Sequence, residues 1–272
     1  MLRCSAANHE KKLNVTSAID DQRSRPRIGF PFTADDSFVA LFYLWWILLA
    51  IFYAFPQIDI AVSRHFFLVD TCKSSDVAAK ICGHFPYGRT AFLETLRTIF
   101  FRLPYFVAVA LLFMLIACYR HHGATFNALR ARNLKIALLS LLLGPGLIVN
   151  GILKEHWGRP RPINTLDFGG TLDFMQAGSF AGKCISNCSF VSGEAASAGW
   201  LLCLLVLIPQ PARTGLFLPI LAISMLTPLM RLAFGAHFLS DVVLGWLLSV
   251  VVFAGIYSLA HSSAEQKILK FE

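Results

Sequence analysis

The sequence predicts an all-α, polytopic membrane protein, built as a bundle of six transmembrane helices. The first observation behind this fold class is composition. The chain is 56% hydrophobic and 15% charged, whereas soluble domains hold about 25% charged residues. The second is a series of six apolar runs, several of which approach the roughly 20 residues that a helix needs to cross the hydrocarbon core.

The N-terminal 37 residues are polar and carry six basic side chains, which predicts a flexible cytoplasmic tail and not a cleaved signal peptide. Helix-start signals follow at Asp35, Asp36 and Ser37. Residues 38–260 are predicted to form one membrane domain, and residues 261–272 a second cytoplasmic tail. The predicted spans cover about 38–56, 103–119, 136–153, 193–208 and 216–230, with a sixth ending near residue 260.

Two segments beside these spans carry further signals. Residues 90–101 are amphipathic, so we expect them to lie at the membrane interface. The run Gly144-Pro145-Gly146 inside the third span predicts a kink.

Six spans place both termini on one side of the membrane. The basic N-terminal segment and the basic loop 120–135 predict that this side is the cytoplasm. Segments 57–102, 154–192 and 231–237 then face outwards. The net charge of +8 is spread over tails and loops without a nucleic-acid motif, so we expect membrane lipids as partners, and neither nucleic acid nor an obligate protein partner.

The first group of candidate site residues follows the third span, in the sequence KEHWGRPRP. Lys154, Arg159 and Arg161 place three cations at a helix end, where two Arg-Pro pairs restrict the backbone. A guanidinium presents a fork of donors that suits phosphate oxygens. Each cation taken singly is also ordinary at a membrane boundary.

The second group opens the fourth span, in the sequence FVSGEAA. Ser192 and Gly193 at a helix start offer backbone N–H groups and the positive end of the helix dipole to an anion, with Glu194 beside them. A plain N-cap is the alternative interpretation.

The third group is RLAFGAHFLSD, which holds Arg231, His237 and Asp241 between two apolar runs, where ionisable residues are costly. A carboxylate one helical turn from a histidine can hold one ring nitrogen as a donor and leave the other free. The alternative is an arginine that reaches the headgroups and an aspartate that caps the helix. All three groups lie on the same predicted face, and together they describe a phosphoryl-transfer pocket at the membrane surface.

In this order the three groups resemble the signature of the type 2 phosphatidic acid phosphatase family. Lys154, Arg161 and Pro162 match its first motif, and Arg231, His237 and Asp241 match its third, with Met230 where serine is usual. The middle motif departs from the family pattern at Val191 and Glu194, where proline and histidine are usual. The resemblance spans roughly residues 38–260.

The resemblance implies a metal-independent phosphatase without a cofactor, working through a phosphohistidine intermediate at the extracytoplasmic face. His237 would attack phosphorus and Asp241 would orient it. The remaining members would hold the phosphate: Lys154, Arg161, Arg231, Ser192 and Gly193, with Arg159 as an auxiliary contact.

Glu194 stands where the family has its proton-donating histidine. Burial and a neighbouring phosphate both favour a protonated carboxyl group, so one hypothesis makes Glu194 the general acid. The alternative is that Glu194 pairs with an arginine, and that His156 or water supplies the proton.

Four cysteines fall in external segments, where an oxidising compartment permits disulfides. Of the three possible pairings we expect the two local ones, Cys72–Cys82 and Cys184–Cys188.

The family resemblance implies a phosphorylated lipid substrate in a bacterial inner membrane, with the active site facing the periplasm. The Ser-Gly-Glu variant is similar to a bacterial branch that includes lipid A 4′-phosphatases. Undecaprenyl pyrophosphate, phosphatidylglycerophosphate and phosphatidic acid are alternative substrates. A non-hydrolytic lipid-phosphate binding protein is the alternative of another class, although it would not need an oriented nucleophile.

Overall fold

The computed structural model describes residues 34–72, 81–120 and 126–269, so the predicted tail lies almost wholly outside the described residues. The described part is predominantly helical, as predicted. Its helices are α1 Ala34–Ala54, α2 Gln57–His65, α3 Ala91–Arg120, α4 Ala128–Leu141, α5 Gly193–Leu207, α6 Ala212–Ala233 and α7 Leu239–Leu269. A short antiparallel hairpin, β1 Leu68–Val69 with β2 Gly83–His84, adds to the predicted all-α fold.

Five helical segments in the described part are long and apolar enough to cross a membrane. They are Ala34–Ala54, Ala91–Arg120, Ala128–His156, Ala212–Ala233 and Leu239–Ser262. The predicted fourth span is α5, which has 15 residues. At 1.5 Å per residue it is about 22 Å long, less than the roughly 30 Å of a hydrocarbon core. It ends where Pro209 and Pro211 follow Ile208.

The predicted interfacial segment at residues 90–101 is not a separate element, and its place at the membrane interface stays a prediction. Helix α3 starts at Ala91 and continues through Pro104 to Arg120. In its first turns Arg97 points to the largely shielded carboxylate of Glu194 on α5, as described below. Arg97 is thus partly shielded by the protein, whereas Thr90 and Thr95 of the same segment are exposed.

The predicted irregularity at Gly144-Pro145-Gly146 takes the form of a change in helical winding. Helix α4 passes into a π-helical segment, Leu142–Leu153, and ends with one α turn, Lys154–His156. Wider π winding is a known adjustment at functional sites in helices. The side chain of Asn150 donates to the Pro145 carbonyl oxygen at 2.7 Å. This segment delivers Lys154 to the end of the third membrane helix.

Helix α7 lies at the centre and packs against α1, α4 and α5. The α5–α7 interface is close: a Cβ added at Gly199 would lie 2.5 Å from the Trp246 carbonyl oxygen. Small residues permit such close approach between membrane helices. On the other side, Trp45 of α1 donates its indole N–H to the Leu244 carbonyl oxygen at 2.9 Å. These contacts fix the first turns of α7, which carry the candidate site.

Candidate active site

The turn between α6 and α7 holds Arg231 and His237 at a fixed separation. Gly235 ends α6 with a left-handed backbone (φ +63°), and a Cβ there would lie 2.3 Å from the ring of Phe85. The backbone N–H groups of Ala236 and His237 both donate to the Arg231 carbonyl oxygen, at 3.1 and 3.3 Å. The spacing in the third motif is thus that of a capped helix end.

Asp241 caps the start of α7, as the alternative interpretation of this motif proposed. Its Oδ2 accepts from the backbone N–H of Phe238 at 2.9 Å and from the Ser189 hydroxyl at 2.5 Å. The predicted direct hydrogen bond to His237 is not formed, because Nδ1 lies 3.9 Å from Oδ2. His237 Nδ1 instead lies 2.9 Å from the Ser189 carbonyl oxygen. Ser189, which was not among the candidates, therefore links the carboxylate to the imidazole.

The environment of His237 favours a neutral imidazole. The ring is buried, and burial lowers its pKa well below the ordinary 6.5. The positive charges of Arg231, Arg161 and Lys154 lower this pKa further. With Nδ1–H donated to Ser189, the lone pair resides on Nε2, which makes no hydrogen bond with the described residues. A neutral imidazole with a free Nε2 can act as a nucleophile.

The guanidinium of Arg159 is buried against protein groups and offers no exposed donor to a phosphate, so its predicted role as an auxiliary phosphate contact is wrong. The side chain is completely buried, and each guanidinium nitrogen donates to the protein. Nη1 contacts Asp241 Oδ1 at 2.5 Å, Nη2 contacts Asp59 Oδ2 at 2.7 Å, and Nε contacts the Met175 carbonyl oxygen at 2.8 Å. The guanidinium also lies 4.6 Å from the centre of the Phe238 ring. Arg159 thus holds the Asp241 carboxylate in place through a direct ion pair.

Asp59 on α2 completes this buried network and was not among the candidates either. Its carboxylate accepts from the backbone N–H and the hydroxyl of Ser240, at 2.8 and 2.6 Å, in addition to Arg159. Two buried carboxylates sharing one buried guanidinium form a fully paired layer under His237. The only local signal was an acid between apolar neighbours, Ile58 and Ile60.

Three of the predicted phosphate ligands, Lys154, Arg161 and Arg231, lie close enough to His237 that their positive charges act on its ring. Arg161 donates to the Asn187 carbonyl oxygen at 3.0 Å, and burial lowers its pKa against the opposing effect of Glu194. Arg231 is buried, and its Nε makes no hydrogen bond with the described residues. This Nε lies 3.5 Å from Glu194 Oε1, an ion-pair contact that leaves the guanidinium with donors for a substrate oxygen.

Ser192 and Gly193 form the start of α5, as predicted. The Ser192 hydroxyl accepts from the backbone N–H of Ala195 at 3.3 Å and is fully buried. This is the plain N-cap of the alternative interpretation, and contacts of either residue with phosphate stay predictions.

Glu194 forms an ion pair with Arg97 of α3. Arg97 Nε donates to Oε2 at 3.0 Å, and Nη2 donates to Oε1. Arg231 Nε lies 3.5 Å from the same Oε1. A bidentate guanidinium–carboxylate pair is the strongest form of this contact. The pairing of Glu194 with an arginine is therefore observed, although the partner that donates to it, Arg97, was not among the candidates. His156 is exposed.

Both expected disulfides are present, Cys72–Cys82 and Cys184–Cys188. Their Cα atoms are 5.1 and 5.8 Å apart. The second bridge directly precedes Ser189 and encloses Asn187, the residue that accepts from Arg161. It therefore restrains the loop that contacts both His237 and one of the cations.

A cavity of about 450 Å³ adjoins the cation cluster. Arg161 and Arg231 line it from the cluster side, and Ala236 lines it next to His237. The far side is built from the β2 hairpin strand and the first turns of α3, with Arg89, Glu94 and Arg97.

The chain is similar to several known proteins. The PAP2 superfamily model matches residues 133–264. A lipid A 4′-phosphatase of Rhizobium etli is 60% identical over 242 residues, which cover 89% of this chain and 94% of that protein. The chain belongs to the PAP2 superfamily. A lipid A 4′-phosphatase of Francisella tularensis subsp. novicida is 28% identical over 84% of this chain and 95% of its own length.

A solved PAP2 structure shows the same fold. The transmembrane PAP2 type phosphatidylglycerolphosphate phosphatase from Bacillus subtilis aligns with a TM-score of 0.52 at 19% identity, covering 83% of this chain and 96% of that one. This chain, with five long apolar helical segments in its described part, is thus a multi-pass membrane protein. The matched segment 133–264 contains the three motifs, whereas Asp59 and Arg97 lie outside it.

Proposed function

We propose that this PAP2 protein is a membrane lipid phosphatase that removes the 4′-phosphate from lipid A. The observation that carries the proposal is a buried, neutral His237 beside three cations, Lys154, Arg161 and Arg231. The names of the Rhizobium and Francisella relatives support lipid A as the substrate.

In the proposed reaction, Nε2 of His237 attacks phosphorus and the bond from phosphorus to the sugar oxygen breaks. The departing sugar oxygen takes a proton from Glu194 or from water. A water molecule then attacks the phosphorus of the phosphohistidine, which breaks the P–N bond and releases phosphate and free His237. The three cations stabilise the equatorial oxygens, since phosphoryl transfer depends mostly on positioning and charge. The Ser189 carbonyl oxygen accepts the Nδ1–H throughout and so supports the positively charged ring of the intermediate.

The proposed membrane arrangement has six helices, with the short α5 as the fourth, in the bacterial inner membrane. The site is formed by the end of the α4 segment, the start of α5, the end of α6 and the start of α7. The Cys184–Cys188 disulfide lies beside it, which favours the oxidising periplasmic side. Both termini are then cytoplasmic.

The test uses purified protein in detergent with bisphosphorylated lipid A, in the presence of a chelator. We expect release of one phosphate, and mass spectrometry should assign the loss to the 4′-position. Substrate labelled at that phosphate should yield an acid-labile, base-stable phosphoenzyme, which His237→Ala abolishes and His156→Gln retains. Phosphate release by His237→Ala at the wild-type rate would refute the assignment.

A further inference from the structure

The cavity beside the cation cluster is larger than a phosphate group requires. Its volume of about 450 Å³ lies within the range of roughly 300–1,000 Å³ that small-molecule sites occupy. Because Arg161 and Arg231 belong to both the cluster and the cavity wall, a molecule in the cavity would adjoin the reacting phosphate.

The cavity wall is chemically mixed. Ile163, Phe168 and Phe234 supply apolar surface, and Glu94 supplies a carboxylate that can accept hydrogen bonds from hydroxyl groups. The lining as a whole is more polar than that of a typical ligand site and includes four arginines, Arg89, Arg97, Arg161 and Arg231. A sugar ring, with apolar faces and hydroxyl edges, fits this lining.

One cation of the wall has no role in the proposed reaction. Arg89 is exposed at the cavity and forms no ion pair with any described residue. Arg97 differs, since Glu194 and Glu94 both pair with it. Arg89 follows the β2 strand at the end of a 3₁₀ turn, Pro86–Arg89, on the side of the cavity formed by the hairpin.

We propose that this cavity is a subsite for the phosphorylated sugar headgroup of the substrate, in which Arg89 binds a second anionic group of the same headgroup. The inference rests on the proposed lipid phosphatase function and specifies its substrate class. The enzyme then prefers lipids whose headgroup carries an anion besides the scissile phosphate.

The test compares two synthetic disaccharide lipids in uncharged detergent micelles, one with a phosphate at each end and one with the scissile phosphate alone. A charge-assisted hydrogen bond from Arg89 predicts that the wild type favours the first by about tenfold in kcat/KM. In Arg89→Ala this ratio should fall towards one, and Arg89→Lys should restore part of it. Arg64→Ala, which removes an exposed cation of α2 outside the cavity, should keep the wild-type ratio.

Equilibrium binding of both lipids to His237→Ala protein gives a second measurement that does not require hydrolysis. The subsite predicts the same Arg89-dependent ratio in Kd. An equal loss on both lipids in Arg89→Ala would overturn the proposal, because Arg89 would then contact a group that both lipids share. An unchanged ratio would overturn it as well. Failure of the wild type to hydrolyse either lipid refutes the proposed function, while the Kd ratio still decides the subsite.

Discussion

Glu194 occupies the position at which related phosphatases carry their proton-donating histidine, and the structure leads to a specific prediction for Glu194→Gln. Glutamine keeps the size of the side chain and removes its charge. In the native protein both carboxylate oxygens accept from Arg97, and Oε1 lies 3.5 Å from Arg231 Nε. We therefore expect the substitution to displace two guanidinium groups near the phosphate.

The size of the effect follows from the charged hydrogen bonds that the substitution weakens. A hydrogen bond between charged groups contributes about 1.5–3 kcal/mol, and both partners are largely shielded, with 10% of the Glu194 and 27% of the Arg97 side chain exposed. This corresponds to a fall of about 10- to 150-fold in kcat/KM, mostly through KM. Removal of a general acid would instead lower kcat by about 10²–10⁴.

The assay distinguishes these roles by the leaving group. A sugar alkoxide needs a proton as it departs, whereas a nitrophenolate does not. If Glu194 positions the arginines, Glu194→Gln should lower activity on lipid A and on a nitrophenyl phosphate by similar factors. Arg97→Ala should then have little further effect in the double variant, because the two residues act as one pair. Loss of activity on lipid A alone, with the nitrophenyl ester still hydrolysed at the wild-type rate, would refute this reasoning and restore the general-acid hypothesis.

Two further predictions concern the layer below the phosphate site. Arg159→Met leaves two carboxylates buried without their cation, which should cost about 3–5 kcal/mol of stability and lower the melting temperature. Lys183→Met removes the exposed Lys183–Asp173 pair and should change the melting temperature little. Equal melting temperatures of the two variants would contradict the paired layer. The pKa of His237 lies well below 6.5, so its neutral form predominates above that value and is lost only on acidification. After correction for ionisation of the substrate phosphate, kcat/KM, which reports the free enzyme, should hold its value down to about pH 6. An acid limb of kcat/KM centred at or above 6.5 would be inconsistent with the buried imidazole.

The sequence predicted the parts of the site that depend on local chemistry. The cap at Ser192 and the turn before His237 are set by residues within a few positions of one another. Both disulfides also close short loops, with separations of 10 and 4 residues. Local signals of this kind can be recognised without knowing how the helices pack.

The parts that the sequence did not predict depend on contacts between distant segments. Asp59 contacts Ser240 across 181 residues, and Arg97 contacts Glu194 across 97. Arg159 has the chemistry of a phosphate ligand, and only packing shows that it is buried against carboxylates. The mixed polarity around residues 59 and 97 predicts an external segment and a membrane interface, because burial of single charged residues inside the bundle leaves little local signal.

The two charged layers of the site explain why its ionisable residues can be held near a membrane. The lower layer has one guanidinium and two carboxylates, so its formal charge is −1 and its groups are paired. The upper layer has Lys154, Arg161, Arg231 and Arg97 against Glu194 and Glu94, which leaves +2. A phosphate monoester brings about −1.5 to −2 at neutral pH. With a phosphate bound, the summed formal charge of the two layers and the ligand is close to zero. The electrostatic stabilisation of the upper layer is therefore largest with a dianionic ligand and smallest with a neutral headgroup. Selectivity for phosphorylated lipids over the zwitterionic lipids of the membrane follows from this charge balance.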